Sequence, residues 1–167
     1  NPHDALSPVQ SARIVINHVY DGLKRAEKMK LPAVITDFIG QHHGSGRAKY
    51  FYNTYCNAHP DEDVDPAPFT YPGPNPQTKE TSILMMADAV EAASRSLKEH
   101  TVPAITELVN RIIDGQLRDG LHDESPISFR DVNVIKNAFI ERLRTMYHAR
   151  VSYPDLKKDE PADKTEA

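Results

Sequence analysis

The sequence predicts an all-α fold, and three features of its 167 residues indicate this class. Apolar residues recur every three or four positions instead of alternating, which is the period of an amphipathic helix. The periodic segments are longer than ordinary strands, and proline or glycine lies near most of their ends. The length suits one domain with a sizeable core, followed by a short tail. We therefore expect one helical bundle without internal repeats.

Composition excludes several classes of function. The formal net charge is -4 and the pI is about 6.1, so the chain lacks the broad basic surface of a general nucleic-acid binder, and we expect neither DNA nor RNA as a partner. The single Cys56 cannot form an internal disulfide, which is typical of a reducing compartment such as the cytoplasm. No apolar run approaches the roughly 18 residues of a membrane span. We expect a soluble fragment, and its first residue, Asn1, suggests that it was cut from a longer parent.

Two helices are predicted before the first glycine-rich break. Ser7 and Pro8 are a typical N-cap and first-turn proline, and the helix continues to about residue 28. Pro32 begins the second helix, and Gly44 ends it just after the paired His42 and His43. The residues expected to face inward are Ala12, Val15, Ile16, Val19 and Leu23 in the first helix, and Val34, Ile35, Phe38 and Ile39 in the second.

Four further helices and one long loop follow in order. A third helix is predicted over residues 47–57, and the proline-rich and acidic stretch at 59–76 is predicted to be a long excursion over the surface. Helix resumes at Gln77, Pro103 starts another helix, and Ser128 caps the last one. The inward residues of the helix after Gln77 are expected to be Ile83, Leu84, Ala87, Val90 and Ala93. We place the helical domain at 1–153 and expect the charged tail at 154–167 to be disordered.

His18, the adjacent His42 and His43, and Asp88 lie on three different predicted helices. Imidazole and carboxylate groups that converge from facing helices suit a transition-metal ion. The alternative is structural, because an unpaired buried acid is costly and Asp88 would then pair with a cation such as Lys79 or Arg95. The remaining histidines lie near ends, loops or polar faces, where solvation explains them; they are His3, His59, His100, His122 and His148.

Five stretches carry a resemblance to a known family. In order they are "INHVYDG", "DFIGQHHG", "KYFY", "YPGPNPQTKETSILMMADAVEAASRSL" and "MYHARVSYP". Together they resemble the cytoplasmic HD domain of seven-transmembrane HD receptors, the PgpH-type cyclic di-AMP phosphodiesterases of bacteria. The match runs from residue 1 to about residue 154, and "QTKET" followed by "ADAVEAASR" is its most specific part.

The resemblance implies an HD-superfamily metallohydrolase that opens the second messenger cyclic di-AMP to pApA. By position, His18, His42 and His43 are similar to the ligands of one metal ion, and Asp88 to a ligand of its neighbour. The family's two divalent ions, iron or manganese with zinc as a further candidate, activate water and neutralise phosphate charge. The parent is expected to be tethered at the cytoplasmic face of the bacterial inner membrane.

The chain departs from the family at its start. The signature His-Asp pair of the family precedes the segment present here, and His3-Asp4 lacks the Gly-Lys that normally follows that pair. We therefore interpret His3-Asp4 as a loop feature and expect this fragment alone to hold a partial or empty site and to be inactive. The catalytic water would belong to the complete two-metal centre of the parent.

Substrate contacts are predicted for three cations and one aromatic residue. Lys49, Lys79 and Arg95 are candidates for the phosphates, and Tyr71 for stacking on an adenine; solvated charges and loop packing are the alternatives. Two rival functions stay open: a catalytically silent regulatory HD module that binds a nucleotide, and a metal-free helical interaction domain.

Overall fold

A computed structural model describes residues 6–148, and within this range the chain is all-α, as predicted. The helices are α1 (Pro8–Lys28), α2 (Ala33–Gln41), α3 (Lys49–Ala58), α4 (Lys79–Ser94), α5 (Val102–Arg118) and α6 (Phe129–His148). A short 3₁₀ helix, Ala67–Phe69, lies between α3 and α4. The predictions for His3-Asp4 and for the tail at 154–167 lie outside the described residues. No helix in the described range combines the length and apolar character that a membrane crossing requires.

Side-chain caps set the beginnings of the main helices. Ser7 accepts a hydrogen bond from the backbone of Gln10 in a complete capping box, as its Ser-Pro pattern predicts. Thr78 caps α4 in the same way, so this helix begins two residues later than predicted. Ser128 and Asp131 exchange backbone and side-chain hydrogen bonds at the start of α6. These polar residues satisfy backbone N–H groups that would otherwise lack partners.

The helices bury their apolar faces in two clusters. In the first, α1 packs with α2, α3 and the 3₁₀ helix, and its buried members are Ala12, Ile16, Val19, Phe69 and Tyr71. In the second, α4, α5 and α6 pack together around Met86, Val90, Ile105, Val109, Ile113, Val132, Ile135 and Leu143. Helix α2 also packs against α4. This last contact brings the end of α2 and the middle of α4 to one region.

Four residues that were predicted to face inward are substantially exposed. Val34 and Ile35 at the start of α2 are 58% and 41% exposed, because α2 packs through its C-terminal end, where Gly40 and Gln41 are buried. Ile83 and Leu84 on α4 are each 38% exposed. Three of the buried residues of α4 carry a hydroxyl group, which an apolar period cannot identify. The buried residues of this helix are Thr81, Ser82, Met85, Met86, Val90 and Ser94.

The proline-rich segment is a long loop, as predicted, but its second half folds back against the chain that follows the paired histidines instead of lying wholly on the surface. Its Phe69 and Tyr71 are only 1% and 8% exposed. Backbone hydrogen bonds join it to residues 44–48: Tyr71 donates to Gly46, Gly73 donates to Gly44, and Ala48 donates to Phe69. Burial of two aromatic rings and these bonds fix the segment beside the histidines.

Candidate metal centre

Three histidines from two helices meet at one point of the structure. His18 lies on α1, His42 is the C-cap of α2, and His43 is the next residue. One ligand nitrogen of each lies within 4.8 Å of the others, and no other group of three potential ligands this close occurs among residues 6–148. The ring centroids of His42 and His43 are 4.1 Å apart. The end of α2 therefore turns two adjacent imidazoles towards the same place, which a continuous helix would separate by about 100°.

Hydrogen bonds determine which ring nitrogens of two histidines are free. Nδ1 of His18 bonds to the Val15 carbonyl, and Nδ1 of His42 bonds to the Ile39 carbonyl at 2.8 Å. A carbonyl oxygen only accepts, so in both neutral rings the proton resides on Nδ1 and Nε2 carries a lone pair. A backbone carbonyl behind the ring is the usual support of a metal-binding histidine. Both side chains are thus held in the tautomer that a metal ligand needs.

The free nitrogens face each other at a distance that suits a shared ion. Nε2 of His18 lies 3.0 Å from Nε2 of His42. Two lone pairs at this distance cannot form a hydrogen bond with each other. Two imidazole nitrogens this close could both bind one divalent ion, since each metal–nitrogen bond is about 2.0–2.1 Å long. The donor set therefore fits a divalent transition-metal ion, whose charge would relieve the opposition of the lone pairs.

His43 lies deeper in the site and is kept neutral. Burial, with additional contributions from His42 and His18, lowers its pKa to about 3. Its Nδ1 lies 3.9 Å from the Asp88 carboxylate, and its ring stacks on Tyr71 with centroids 4.2 Å apart. Burial, followed by the negative charge of Asp88, raises the pKa of Tyr71 to about 12, so its hydroxyl stays protonated. Asp88 thus joins the histidines at the edge of the cluster, with a half-exposed carboxylate.

A tight turn fixes the chain after His43. Gly44 has a φ of 52°, in the left-handed region that glycine adopts readily. The Asn75 side-chain oxygen accepts hydrogen bonds from the backbone N–H and the hydroxyl of Ser45, at 2.8 and 2.9 Å. A Cβ at position 44 would lie 2.6 Å from that same oxygen. The glycine therefore lets the proline-rich segment, with Tyr71, approach the histidines closely.

A cavity of about 510 Å³ opens beside this cluster, and His43 and Tyr71 form part of its wall. This volume lies in the usual range of small-molecule sites. Small apolar residues of α4 form another wall, namely Ala89, Ala92 and Ala93. Three cations line it: Arg47, Lys49 and Arg111. An anionic ligand next to the histidines would fit this composition.

The structure brings some of the predicted substrate residues to this cavity and leaves others away from it. Lys49 and Tyr71 line it, and Lys49 also forms a 2.8 Å ion pair with Asp119. Lys79 pairs with Asp131 at 2.8 Å, and Arg95 pairs with Glu91 at 2.8 Å. The alternative in which Lys79 or Arg95 neutralises Asp88 is therefore wrong. Neither residue lines the cavity, and a substrate role for them stays a prediction.

Sequence reasoning misassigned one histidine and missed two arginines. His122, predicted to be solvated, is only 3% exposed and lies 3.2 Å from both Ser82 Oγ and Gln116 Oε1. The neighbouring Gly120, at a φ of 71°, turns the chain after α5 and is a local sequence signal that could have indicated this burial. Arg47 and Arg111 were overlooked because they share a cavity only in the folded chain.

Comparison with known proteins identifies relatives of this chain. No protein-family model matches the chain. The chain is 41% identical over 157 residues to the cyclic-di-AMP phosphodiesterase PgpH of Listeria monocytogenes and 37% identical over 158 residues to PgpH of Bacillus subtilis. These alignments cover 94% and 95% of the chain but 22% of either relative, so the chain spans about a fifth of their length.

A solved structure provides the stronger comparison. The chain superimposes on the crystal structure of the L. monocytogenes PgpH HD domain in complex with cyclic-di-AMP with a TM-score of 0.84 and 40% sequence identity. The match covers 92% of this chain and 71% of that one. The resemblance inferred from the five sequence stretches is confirmed. The chain belongs to the PgpH-type family of HD domains.

Proposed function

We propose that this chain is the greater part of a metal-dependent phosphodiesterase domain that hydrolyses a cyclic dinucleotide, cyclic di-AMP, to pApA. The observation that carries the proposal is the convergence of His18, His42 and His43 beside a cation-lined cavity. Relatives named as cyclic-di-AMP phosphodiesterases, one of them solved with cyclic-di-AMP, supply the substrate class. We further propose that the longer parent is tethered at the cytoplasmic face of a bacterial membrane.

The metal ligands in this proposal are His18, His42 and His43 for one ion and Asp88 for a neighbouring one. Asp88 lies on the His43 side of the cluster, which is consistent with a second ion next to the first. Iron and manganese suit a mixed set of imidazole and carboxylate ligands, and zinc suits it as well. When bound, two such ions supply Lewis acidity towards the phosphate and activate water for in-line attack.

The remaining residues bind and orient. The low pKa of His43 keeps its imidazole neutral at physiological pH, so no proton competes for the ligand nitrogen. Tyr71 packs flat on this ring and holds its orientation, while its position in the cavity wall allows contact with a base. Lys49 lies in the same wall and can approach a substrate phosphate.

The test compares this chain with a version extended upstream through the parent's His-Asp signature. We expect the extended form to contain about two transition-metal ions by elemental analysis and to convert cyclic di-AMP to pApA. We expect the 167-residue chain to contain fewer ions and to be inactive. An extended form that contains no metal and cleaves nothing would contradict the proposal and favour a metal-free interaction domain. Tight binding of cyclic di-AMP without turnover would instead identify a regulatory module.

A further inference from the structure

The cations of the cavity differ in how far their charge is already neutralised. Lys49 forms the ion pair with Asp119. Arg111, on α5, has no ion pair or hydrogen bond with another described residue. Arg47 places its guanidinium 5.2 Å from the centre of the Tyr52 ring, and within residues 6–148 it has no carboxylate partner. Two arginines therefore present uncompensated positive charge to the cavity.

Among residues 6–148, the wall of the cavity itself contains no acidic residue; Asp119 is paired with Lys49, and Asp88 lies beside His43. Besides the three cations, the described wall consists of Leu121 and apolar residues of α4 and α5, together with polar, aromatic and small residues, namely His43, Gly46, Tyr50, Tyr71 and Gln116. Focused positive potential in such a concave site attracts anions. A planar guanidinium also matches two phosphate oxygens at once, which an ammonium group does not.

The two arginines come from different parts of the fold. Arg47 follows His43 by four residues and is held by backbone pairing with Thr70 in the proline-rich segment. Arg111 comes from α5, five residues before the buried Gln116. Both positions are therefore anchored by backbone structure, while their long side chains remain exposed. They belong to the same cavity as His43.

A cyclic dinucleotide carries two phosphodiesters in one ring. When one of them lies at the histidines, the other must lie elsewhere in the same cavity. From the uncompensated charges we infer that Arg47 and Arg111 bind this second phosphate. The inference rests on the proposed function and adds to it a determinant of specificity, because a nucleotide with one phosphodiester cannot use the histidines and both arginines together.

The experiment uses the upstream-extended form loaded with Mn²⁺ and two probes, cyclic di-AMP and 3′,5′-cyclic AMP, both as non-hydrolysable phosphorothioate analogues so that binding is measured without turnover. The variants are Arg47→Gln, Arg111→Gln and their combination, with Arg118→Gln as the matched control. Arg118 lies on the same helix as Arg111 and is exposed, but it does not line the cavity. Calorimetry gives the dissociation constants, and circular dichroism checks that each variant is folded.

We expect each single substitution to weaken cyclic di-AMP binding by about tenfold, as charge-assisted hydrogen bonds predict, and the double substitution by more. Binding of 3′,5′-cyclic AMP and all properties of the Arg118→Gln control should change by less than about twofold. Equal weakening for both probes would overturn the inference, because the arginines would then contact the phosphate at the histidines. Unchanged cyclic di-AMP binding in the double variant would also overturn it. Failure of the unsubstituted protein to bind cyclic di-AMP would instead contradict the proposed function.

Discussion

The histidines of this chain occupy two contrasting environments. His122 is buried and both of its ring nitrogens are hydrogen-bonded, whereas His18, His42 and His43 cluster beside a cavity, and Nε2 of His18 faces Nε2 of His42. In the first environment the imidazole is a structural connector. In the second, Nδ1 of His18 and of His42 is hydrogen-bonded to a backbone carbonyl, but their Nε2 atoms face each other without a proton between them and would be satisfied by a cation. Burial alone would select His122 as the functional histidine. The hydrogen bonds of each ring instead distinguish the structural histidine from the candidate metal ligands.

The network around His122 also determines its tautomer. The Gln116 amide nitrogen donates to the Met85 carbonyl at 3.4 Å, so its oxygen is left to accept from His122 Nε2. Nδ1 of His122 then accepts from the Ser82 hydroxyl. The proton lies on Nε2, opposite to its place in His18 and His42. One ring joins α4, α5 and the segment after α5, and it leaves no nitrogen free for a metal.

The largest expected effect is on metal binding. Replacement of His42 and His43 together by alanine should lower Mn²⁺ affinity by more than about 100-fold, since even the outer partners of metal ligands contribute roughly 10–100-fold. Stability without metal should change little, because removal of the opposed lone pairs of His18 and His42 offsets the lost stacking of His43 on Tyr71. Metal titration and urea unfolding of the metal-free protein measure the two quantities. If the double variant kept its Mn²⁺ affinity but lost much of its stability, the cluster would have a structural role and not a metal-binding one.

The reverse pattern is expected for His122. Replacement by alanine should destabilise the fold by about 2–4 kcal/mol, because buried acceptors and donors on Gln116 and Ser82 lose their partner. Mn²⁺ affinity of the folded variant should stay within a few-fold of the original. Urea unfolding and metal titration test this, with Asn137→Ala on the exposed face of α6 as a control that should change neither. If His122→Ala lost metal binding but kept its stability, His122 would not be the structural histidine of this comparison.

A smaller effect is expected at the turn that supports the cluster. Gly44→Ala should destabilise the protein by about 1–3 kcal/mol, because the residue has a positive φ and the new Cβ would meet the Asn75 oxygen. Gly115→Ala is the matched control: it lies inside α5 with open space around its Cβ, and should stabilise by about 0.5–1 kcal/mol. Thermal unfolding measures both. Equal effects of the two substitutions would show that the turn does not constrain the site.

The smallest effect concerns pH. Burial lowers the pKa of His122 in the folded state, although Asp123 opposes this in part. The unfolded histidine, with a pKa near 6.5, therefore binds more protons than the folded one below that pH, and its contribution to stability falls as the pH falls. The free-energy difference between the original protein and His122→Ala should narrow between pH 7.5 and pH 5.5. Urea unfolding at both pH values measures this difference. A free-energy difference that widens at low pH would contradict the prediction.

The limits of sequence-based prediction follow from the same contrast. Helical spacing and the glycine after the paired histidines sufficed to predict an all-α fold and to nominate His18, His42, His43 and Asp88 as neighbours. Burial of His122 was missed because its partners come from α4 and α5, and only tertiary packing brings them together. Local patterns count a histidine as polar and cannot detect such a network.

Charge pairing was equally out of reach from local patterns. Lys79 was predicted to be available for a phosphate, but it forms an ion pair with Asp131 that joins α4 to α6. Hydrogen bonds from Lys79 and Ser128 hold the pKa of the Asp131 carboxyl below its ordinary value. No local pattern distinguishes Arg111 from the other charged residues of α5. Its significance depends on the cavity that α4, α5 and the chain after His43 enclose.

The most direct test of the central claim observes the histidine ring nitrogens by nitrogen-15 NMR in the upstream-extended protein, before and after addition of Zn²⁺, which is diamagnetic. Without metal, His18 and His42 should carry the proton on Nδ1, and His122 should carry it on Nε2. Zn²⁺ should shift the Nε2 resonances of His18 and His42 strongly and leave those of His122 in place. Unshifted resonances of the cluster, or a response at His122 instead, would contradict the assignment of these three histidines as a metal-binding set.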